Sequence, residues 1–311
     1  MIVPGAKGIR VVRSAGAAAL GVARGVASAG FVGGALERRG GRVLKVDART
    51  AVMEGVLLPE HDGRADKRGA RVDGQEKREA LTPALSQRER EQDNRSEEGR
   101  RVVVKTMLVN KPKHLFQRLF GSTRLMRQWD GAELLMTEGF ECARPVVLFR
   151  GRDERGRLVE TLVLDHLEGR TLLEYMAARE LSVEQEHVLA DAVALVVRRL
   201  AEKRLVNGDA KPSNWVVRWG RGGDGGATEV ARLAFIDTVA VGRDLQSTGV
   251  IDHLADLVIE AIGVGCLPRR SLLWRVVKGV AGEGAKKVWR EVAARVERHG
   301  DATPRVDPLR R

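Results

Sequence analysis

Apolar positions follow a strand-like pattern through the first half of the chain and a helical period through most of the second. Residues 42–58 (RVLKVDARTAVMEGVLL) read as two short β segments around the polar turn 46–50. Val102-Val103-Val104 runs into Lys105 as another short strand, residues 145–150 form a further one, and residues 158–164 alternate. Helical spacing appears over 115–138, 171–178 and 183–203, the last with Val188, Leu189, Ala192, Leu195, Val196 and Leu200 at its apolar positions. Two strands, 214–218 and 231–237, flank a Gly-rich turn at 220–226, and residues 252–298 are helical by period. Strands first, then helices, with one short hairpin between them, predict an α+β, two-lobed architecture. Residues 42–164 would form a small, mostly antiparallel sheet lobe with one helix, and residues 165–311 a mostly helical lobe.

The pattern fails in two places. Residues 1–41 are Gly/Ala-rich with scattered Arg and show no firm period, so a flexible basic segment or a misplaced start is expected there. Residues 61–101 carry eleven Lys or Arg and ten Asp or Glu with almost no large apolar side chain, which predicts a disordered charged insertion. Within it, ALTPALSQRERE resembles a translated intergenic repeat of bacterial genomes and brings no chemistry.

Charge narrows the partners. The chain has 54 Lys and Arg against 42 Asp and Glu, a net charge of +12. That excess favours phosphate-bearing partners: nucleotides, nucleic acid or an anionic membrane surface. Nine of the basic residues lie in the first fifty positions, opposed there by Glu37 and Asp47 alone. A specific nucleic-acid binder would more often spread its charge over a folded face, so none is expected. Cys142 and Cys266 have no CxxC or Cys/His ligand spacing, which argues against a disulfide scaffold or structural zinc and fits a reducing cytoplasm. No apolar stretch approaches the roughly 20 residues of a membrane span. Residues 14–27 come nearest to a signal-peptide core, but Arg24 interrupts them.

The densest chemistry is Asn207-Gly208-Asp209-Ala210-Lys211-Pro212-Ser213-Asn214, followed by Phe235-Ile236-Asp237. A carboxylate, a lysine two residues on and an amide five residues on share a loop between a helix and a strand, and a second carboxylate closes the next strand. Phosphoryl transfer needs these types: a base to orient the attacking hydroxyl, a cation for the transferred group, and hard oxygen ligands for Mg²⁺. The competing roles are ordinary ones: a turn or cap for Asp209 and Asp237, a surface position for Lys105 and Lys211, and a solvated helix face for Glu133.

This cluster resembles the catalytic loop and metal-binding Asp of the protein-kinase-like superfamily, in the form found among small-molecule and RIO-type kinases. Thr123-Arg124-Leu125-Met126-Arg127-Gln128-Trp129, then Leu134-Leu135, Gly139 and Arg144-Pro145, is similar to a stretch of the lipopolysaccharide-core kinases, the Kdo/heptose kinase family. Leu44-Lys45-Val46-Asp47-Ala48-Arg49-Thr50 likewise resembles that family's opening strand, where a non-glycine turn replaces the Gly-rich loop.

The resemblance implies an ATP- and Mg²⁺-dependent kinase acting on a sugar hydroxyl in the lipopolysaccharide inner core. It would be cytoplasmic, with peripheral contact at an anionic inner-membrane surface. Asp209 would orient the acceptor hydroxyl and take its proton, Lys211 would neutralise the γ-phosphoryl, and Asn214 and Asp237 would bind Mg²⁺. Lys105 would hold the α/β-phosphates, with Lys45 and Thr50 of the opening strand on the nucleotide side. The acidic partner of Lys105 falls by spacing on Gln128, with Asp130 and Glu133 as neighbouring alternatives. Departures are Asn207 and Ala210, where the family has His and Leu, and Thr238-Val239 after Asp237. A kinase of another small molecule or of a protein, and a pseudokinase acting as a binding module, are the alternatives. His253 and Asp252 read as structural, and Trp129 as a core anchor.

Overall fold

The computed structural model describes residues 10–14, 42–46, 50–57, 100–109, 123–152, 156–221, 229–244 and 249–299. The chain divides into two compact units, Met1–Lys111 with Val146–His166, and Pro112–Pro145 with Leu167–Arg311.

The first unit is a six-stranded sheet of β1 (Arg10–Ser14), β2 (Arg42–Val46), β3 (Thr50–Leu57), β4 (Arg100–Leu108), β5 (Pro145–Arg152) and β6 (Leu158–Asp165), in the order β1-β5-β6-β4-β3-β2. The pairings β1/β5, β2/β3, β3/β4 and β4/β6 are antiparallel. Val146 to Phe149 of β5 are all buried, and β6, read from the sequence as alternating, is instead buried continuously from Val159 to Leu164, Glu160 and Thr161 included. Arg150 reaches from β5 to the fully buried Glu160 of β6, Nε to Oε1 at 2.7 Å, so that carboxylate is not buried unpaired. Lys105 sits on β4 opposite Val52 and Leu162.

One segment departs from expectation. Arg10–Ser14, within the stretch expected to be flexible, is strand β1 and pairs with β5 from Arg10↔Arg150 to Ser14↔Val147. A five-residue strand flanked by Gly and Ala carries little signal of its own; the backbone groups along the edge of β5 are what it completes. Of the expected charged insertion, Arg100 and Arg101 belong to β4, and residues 61–99 lie outside the described residues.

The second unit is mostly helical. Its helices are α1 (Arg124–Thr137), α2 (Leu172–Ala178), α3 (Val183–Glu202), α4 (Gly249–Gly263), α5 (Arg270–Ala281) and α6 (Ala285–His299). The sequence reading put the first of these with the sheet, whereas α1 groups with the helical unit. Thr123 caps α1, and capping boxes Thr171/Glu174 and Ser182/Gln185 start α2 and α3. The single helical stretch read at 252–298 is three helices, broken after Gly263 and at Gly282 (φ +54°). Strands β7 (Arg170–Thr171), β9 (Trp215–Arg221) and β10 (Glu229–Phe235) pair in the order β10-β9-β7, and β8 (Leu205–Asn207) pairs with β11 (Val241–Arg243). Trp215 and Phe235, ring centroids 5.0 Å apart, anchor the core together with Leu135, Val197, Leu200 and Leu254. Gly279 brings α5 against α3, where an added Cβ would lie 2.7 Å from the Ala194 Cβ. No helix of the described residues is long and apolar enough to cross a membrane.

Candidate active site

The loop from Asn207 to Asn214 leaves β8 and enters β9 through a 3₁₀ turn at Pro212–Asn214. Pro at the first position of that turn suits it, because its fixed φ matches the turn and the missing N–H would have had no partner there. Asn207 is fully buried and its Oδ1 accepts the Asp209 backbone N–H at 3.1 Å, a tight Asx-type link across Gly208. Five residues later, Asn214 turns back: its Nδ2 donates to the Asp209 carbonyl at 2.9 Å. Lys211 Nζ stands 3.1 Å from Asp209 Oδ1, both side chains part-exposed. Carboxylate, ammonium and amide are thus held in one short loop.

Asp237 is brought to the same place by the β9/β10 hairpin. Trp215 pairs with Phe235, and the Ile236 N–H donates to the Asn214 carbonyl at 3.1 Å. β10 ends at Phe235, so Asp237 stands two residues beyond the strand rather than closing it. Its Oδ1 accepts the Val239 N–H at 3.3 Å, and its Oδ2 lies 3.6 Å from the Arg124 guanidinium.

Helix α1 braces this segment. Gln128 donates to the Ile236 carbonyl at 3.2 Å, and Thr238 donates to the Gln128 carbonyl at 2.6 Å. Gly131 permits the approach, because a Cβ there would stand 2.0 Å from the Thr238 carbonyl oxygen. Gln128, the position that spacing offered to Lys105, is buried and engaged with Ile236. Glu133 is exposed on α1 and accepts the indole N–H of the buried Trp129 at 2.6 Å.

Helix α4 meets the loop itself. His253, buried, accepts the Asn207 backbone N–H on Nε2 at 2.7 Å. Burial pulls its pKa down to about 4, so the ring is neutral near pH 7 and carries its proton on Nδ1. Asp256 receives a hydrogen bond from the Ala210 backbone N–H, and burial raises its carboxyl to about 6. Glu260 takes the Ser213 N–H at 2.8 Å and its hydroxyl at 2.6 Å.

The structure therefore brings together Asp209, Lys211, Asn214 and Asp237. Lys105, Lys45 and Thr50 belong to the sheet unit; Lys45 pairs with Val52 across β2/β3, and Thr50 with Met107 across β3/β4. Sequence reasoning missed Arg124, Asp256 and Glu260, and it left His253 as merely structural. The available signal was a row of polar residues at 253, 256 and 260 on a helix that is otherwise apolar apart from Asp252; nothing local ties that row to the loop.

Among the described residues no three His, Cys, Asp or Glu gather as a metal cage. Mg²⁺ asks for less, one or two protein oxygens completed by phosphate and water. The donor set fits: with Nδ2 given to the Asp209 carbonyl, Asn214 keeps its carbonyl Oδ1 as an acceptor, and Asp237, next in the chain to Ile236 whose N–H meets the Asn214 carbonyl, supplies a carboxylate.

A sheet unit and a helical unit carrying an Asp-x-Lys-x-x-Asn loop and a following Asp form a protein-kinase-like fold. No family model matches the sequence, and no curated protein matches it. Among solved structures, WaaP in complex with acyl carrier protein is similar in fold, with a TM-score of 0.51 at 15% identity over 85% of this chain and 89% of that one. A Rio2 kinase–ADP/Mg²⁺–phosphoaspartate complex from Chaetomium thermophilum aligns with a TM-score of 0.42 at 13% identity, over 84% of this chain and 71% of its own. The PknI kinase domain of Mycobacterium tuberculosis gives 0.35 at 18% identity, over 73% and 74%.

Proposed function

We propose that the protein is an ATP- and Mg²⁺-dependent kinase that phosphorylates a sugar hydroxyl, with the lipopolysaccharide inner core as the acceptor class. The observation that carries this reading is the loop in which Asp209, Lys211 and Asn214 are tied together with Asp237 alongside. Asp209 would orient the acceptor hydroxyl and receive its proton; Lys211, already beside that carboxylate, would balance charge on the transferred phosphoryl. Asn214 and Asp237 would hold Mg²⁺, which draws charge from the phosphate oxygens. Lys105 of the sheet unit is the residue that the family resemblance assigns to the α/β-phosphates. The acceptor class rests on that same resemblance and on fold likeness to WaaP, and a basic chain suits a phosphorylated, membrane-borne acceptor reached from the cytoplasmic side.

A second reading has its own observation. Arg124 puts a cation against the carboxylate that Mg²⁺ would need, as a nucleotide-free binding module would have it. One experiment separates the two: thermal shift with Mg²⁺-ATP beside phosphotransfer to a core-oligosaccharide acceptor, on the wild-type protein, Asp209→Asn and Asp237→Asn. The kinase reading expects Asp209→Asn to lose transfer and keep its ATP-induced stabilisation, because the base acts on the acceptor. Asp237→Asn should lose both, because a metal ligand holds the nucleotide and stabilisation follows affinity. Absence of Mg²⁺-ATP stabilisation in the wild-type protein would overturn the kinase reading.

A further inference from the structure

One face of α1 meets three consecutive residues centred on Asp237. Arg124, Gln128 and Gly131 stand at i, i+4 and i+7, positions that share a helix face. The Arg124 guanidinium lies 3.6 Å from Asp237 Oδ2, and Gln128 Nε2 donates to the Ile236 carbonyl at 3.2 Å. The Thr238 carbonyl oxygen fills the space that a Cβ on Gly131 would take. The tie runs both ways, because Thr238 Oγ1 donates back to the Gln128 carbonyl at 2.6 Å. A carbonyl has two lone pairs, so that of Gln128 can serve the helix ladder and the hydroxyl together.

Both side chains are sealed from water, Gln128 at 2% exposure and Thr238 at 1%. A buried amide or hydroxyl must find its partners within the protein, and each of these takes one from the other's segment. Two of the positions that the sequence singles out, Gln128 where spacing called for an acid and Thr238 after Asp237, therefore suit each other. A glutamate at 128 would set an acceptor against the Ile236 carbonyl, and a side chain without a hydroxyl at 238 would give the Gln128 carbonyl no donor. Local ties complete the frame: the Ile236 N–H meets the Asn214 carbonyl at 3.1 Å, and the Val241 N–H meets the Thr238 carbonyl at 3.2 Å. The residue before Asp237 is held at its N–H and its carbonyl, and the residue after it at its hydroxyl and its carbonyl. Between two fixed neighbours the carboxylate leaves the backbone in one direction, with Oδ1 3.3 Å from the Val239 N–H.

We propose that Gln128 and Thr238 are positioning residues that act as one reciprocal clasp and preset Asp237 to receive Mg²⁺. The metal in this proposal rests on the kinase reading, whereas the hold on the backbone is read without it. Gln128 and Thr238 act through Asp237 alone. A ligand already ordered in the free protein does not have to be ordered again on binding, so opening the clasp weakens Mg²⁺ binding.

The test uses the full chain with three single variants. Thr238→Val keeps the shape and loses the hydroxyl, Thr238→Ser keeps the hydroxyl, and Gln128→Leu loses the amide. Thr238→Val and Gln128→Leu should each raise the Mg²⁺ concentration for half-maximal ATP-induced stabilisation by about 5- to 10-fold, the range of one lost hydrogen bond, and Thr238→Ser by no more than about twofold. The double variant Gln128→Leu/Thr238→Val should go little beyond either single one, because opening one side of the clasp frees the other. A merely structural role would lower the thermal midpoint and leave the half-saturating Mg²⁺ concentration where it was. With no ligand present, amide exchange at Val239 and Val241 should quicken in Thr238→Val and Gln128→Leu and stay slow in Thr238→Ser, while the β9 amides stay protected in all three. Should Thr238→Val fail to fold, Gln128→Leu opens the same clasp from the other element and is read the same way. An unchanged half-saturating Mg²⁺ concentration, or unchanged exchange at Val239 and Val241, in the variants lacking a donor would overturn the clasp. A wild-type chain that Mg²⁺-ATP does not stabilise would sink the kinase reading, while the exchange result still decides the clasp.

Discussion

Arg124, the first residue of α1, places its guanidinium 3.6 Å from Oδ2 of Asp237, the carboxylate assigned to Mg²⁺. The arginine is more than half exposed and the aspartate is 19% exposed, so the pair is partly screened by water. Pairs of this kind are worth about 0.2–1 kcal/mol. A cation binding at Asp237 must displace or share that charge. Arg124→Gln should therefore lower the Mg²⁺ concentration needed for half-maximal ATP-induced stabilisation by a few-fold, the amount such a pair is worth. A rise in that concentration would instead show that Arg124 assists the nucleotide.

The parts of the site that were legible in the sequence are the local ones. Asp209, Lys211 and Asn214 lie within six residues, and the loop closes on itself through Asn207 and Asn214, so spacing alone exposes the constellation. Asp237 was legible because a hairpin brings its strand end back beside Asn214. Arg124 and Gln128 were not, because their contacts with Asp237 and Ile236 close over more than a hundred residues. His253, Asp256 and Glu260 are a helix's periodic polar positions until the loop is laid across them. The same distinction holds for the fold. Strands β2 to β6 announce themselves by their valines and leucines, whereas β1 depends on the edge of β5 for its hydrogen bonds. Helix α1 carries a clear helical period, but period says nothing about which unit it joins; Gly131 packing on the Thr238 carbonyl fixes that.

Two titratable groups of α4, Asp256 and His253, shape the acid response of the protein. Asp256 ionises near 3.8 in an unfolded chain and about 6 in the folded one, where burial is the main cause, the Ala210 backbone opposes it, Asp252 and Asp209 add repulsion, and Arg295 offsets a little more. Folding takes up a proton across that window, so the Asp256 contribution to stability falls as pH rises from about 4 to 6. His253 runs the other way. Its ring protonates near 6.5 when unfolded and only near 4 when folded, because burial outweighs the pull of Asp252 and Asp244. Folding expels that proton, and the His253 contribution rises as pH climbs from about 4 to 6.5. The two slopes oppose each other over nearly the same range. Denaturant midpoints at a series of pH values should therefore be flatter for the wild-type protein than for either variant. Asp256→Asn should leave a stability that rises with pH, and His253→Gln one that falls. Matching slopes in all three proteins would show that these two groups do not set the acid response.

Strands β3 and β4 register as Leu57↔Arg100 at one end and Thr50↔Met107 at the other. The last residue of β3 thus stands directly across from the first residue of β4, so the ends to be joined are already neighbours. An antiparallel pair in that position needs only a two-residue type I′ turn, and Asn-Gly is the sequence that best supplies it. The chain spends residues 58–99 on the same connection, a segment whose composition offers no apolar face to bury. Closing a shorter loop costs less entropy, by about 0.6 kcal/mol for each halving of length. Replacing residues 58–99 by Asn-Gly should therefore preserve or slightly raise the thermal midpoint and leave Mg²⁺-ATP stabilisation intact, since Lys105 keeps its pairing with Val52 and Leu162. Thermal unfolding of the shortened protein with and without Mg²⁺-ATP reads both effects at once. A shortened chain that folds but has lost its response to the nucleotide would assign residues 58–99 a part in binding, and one that does not fold would make them part of the sheet unit's structure.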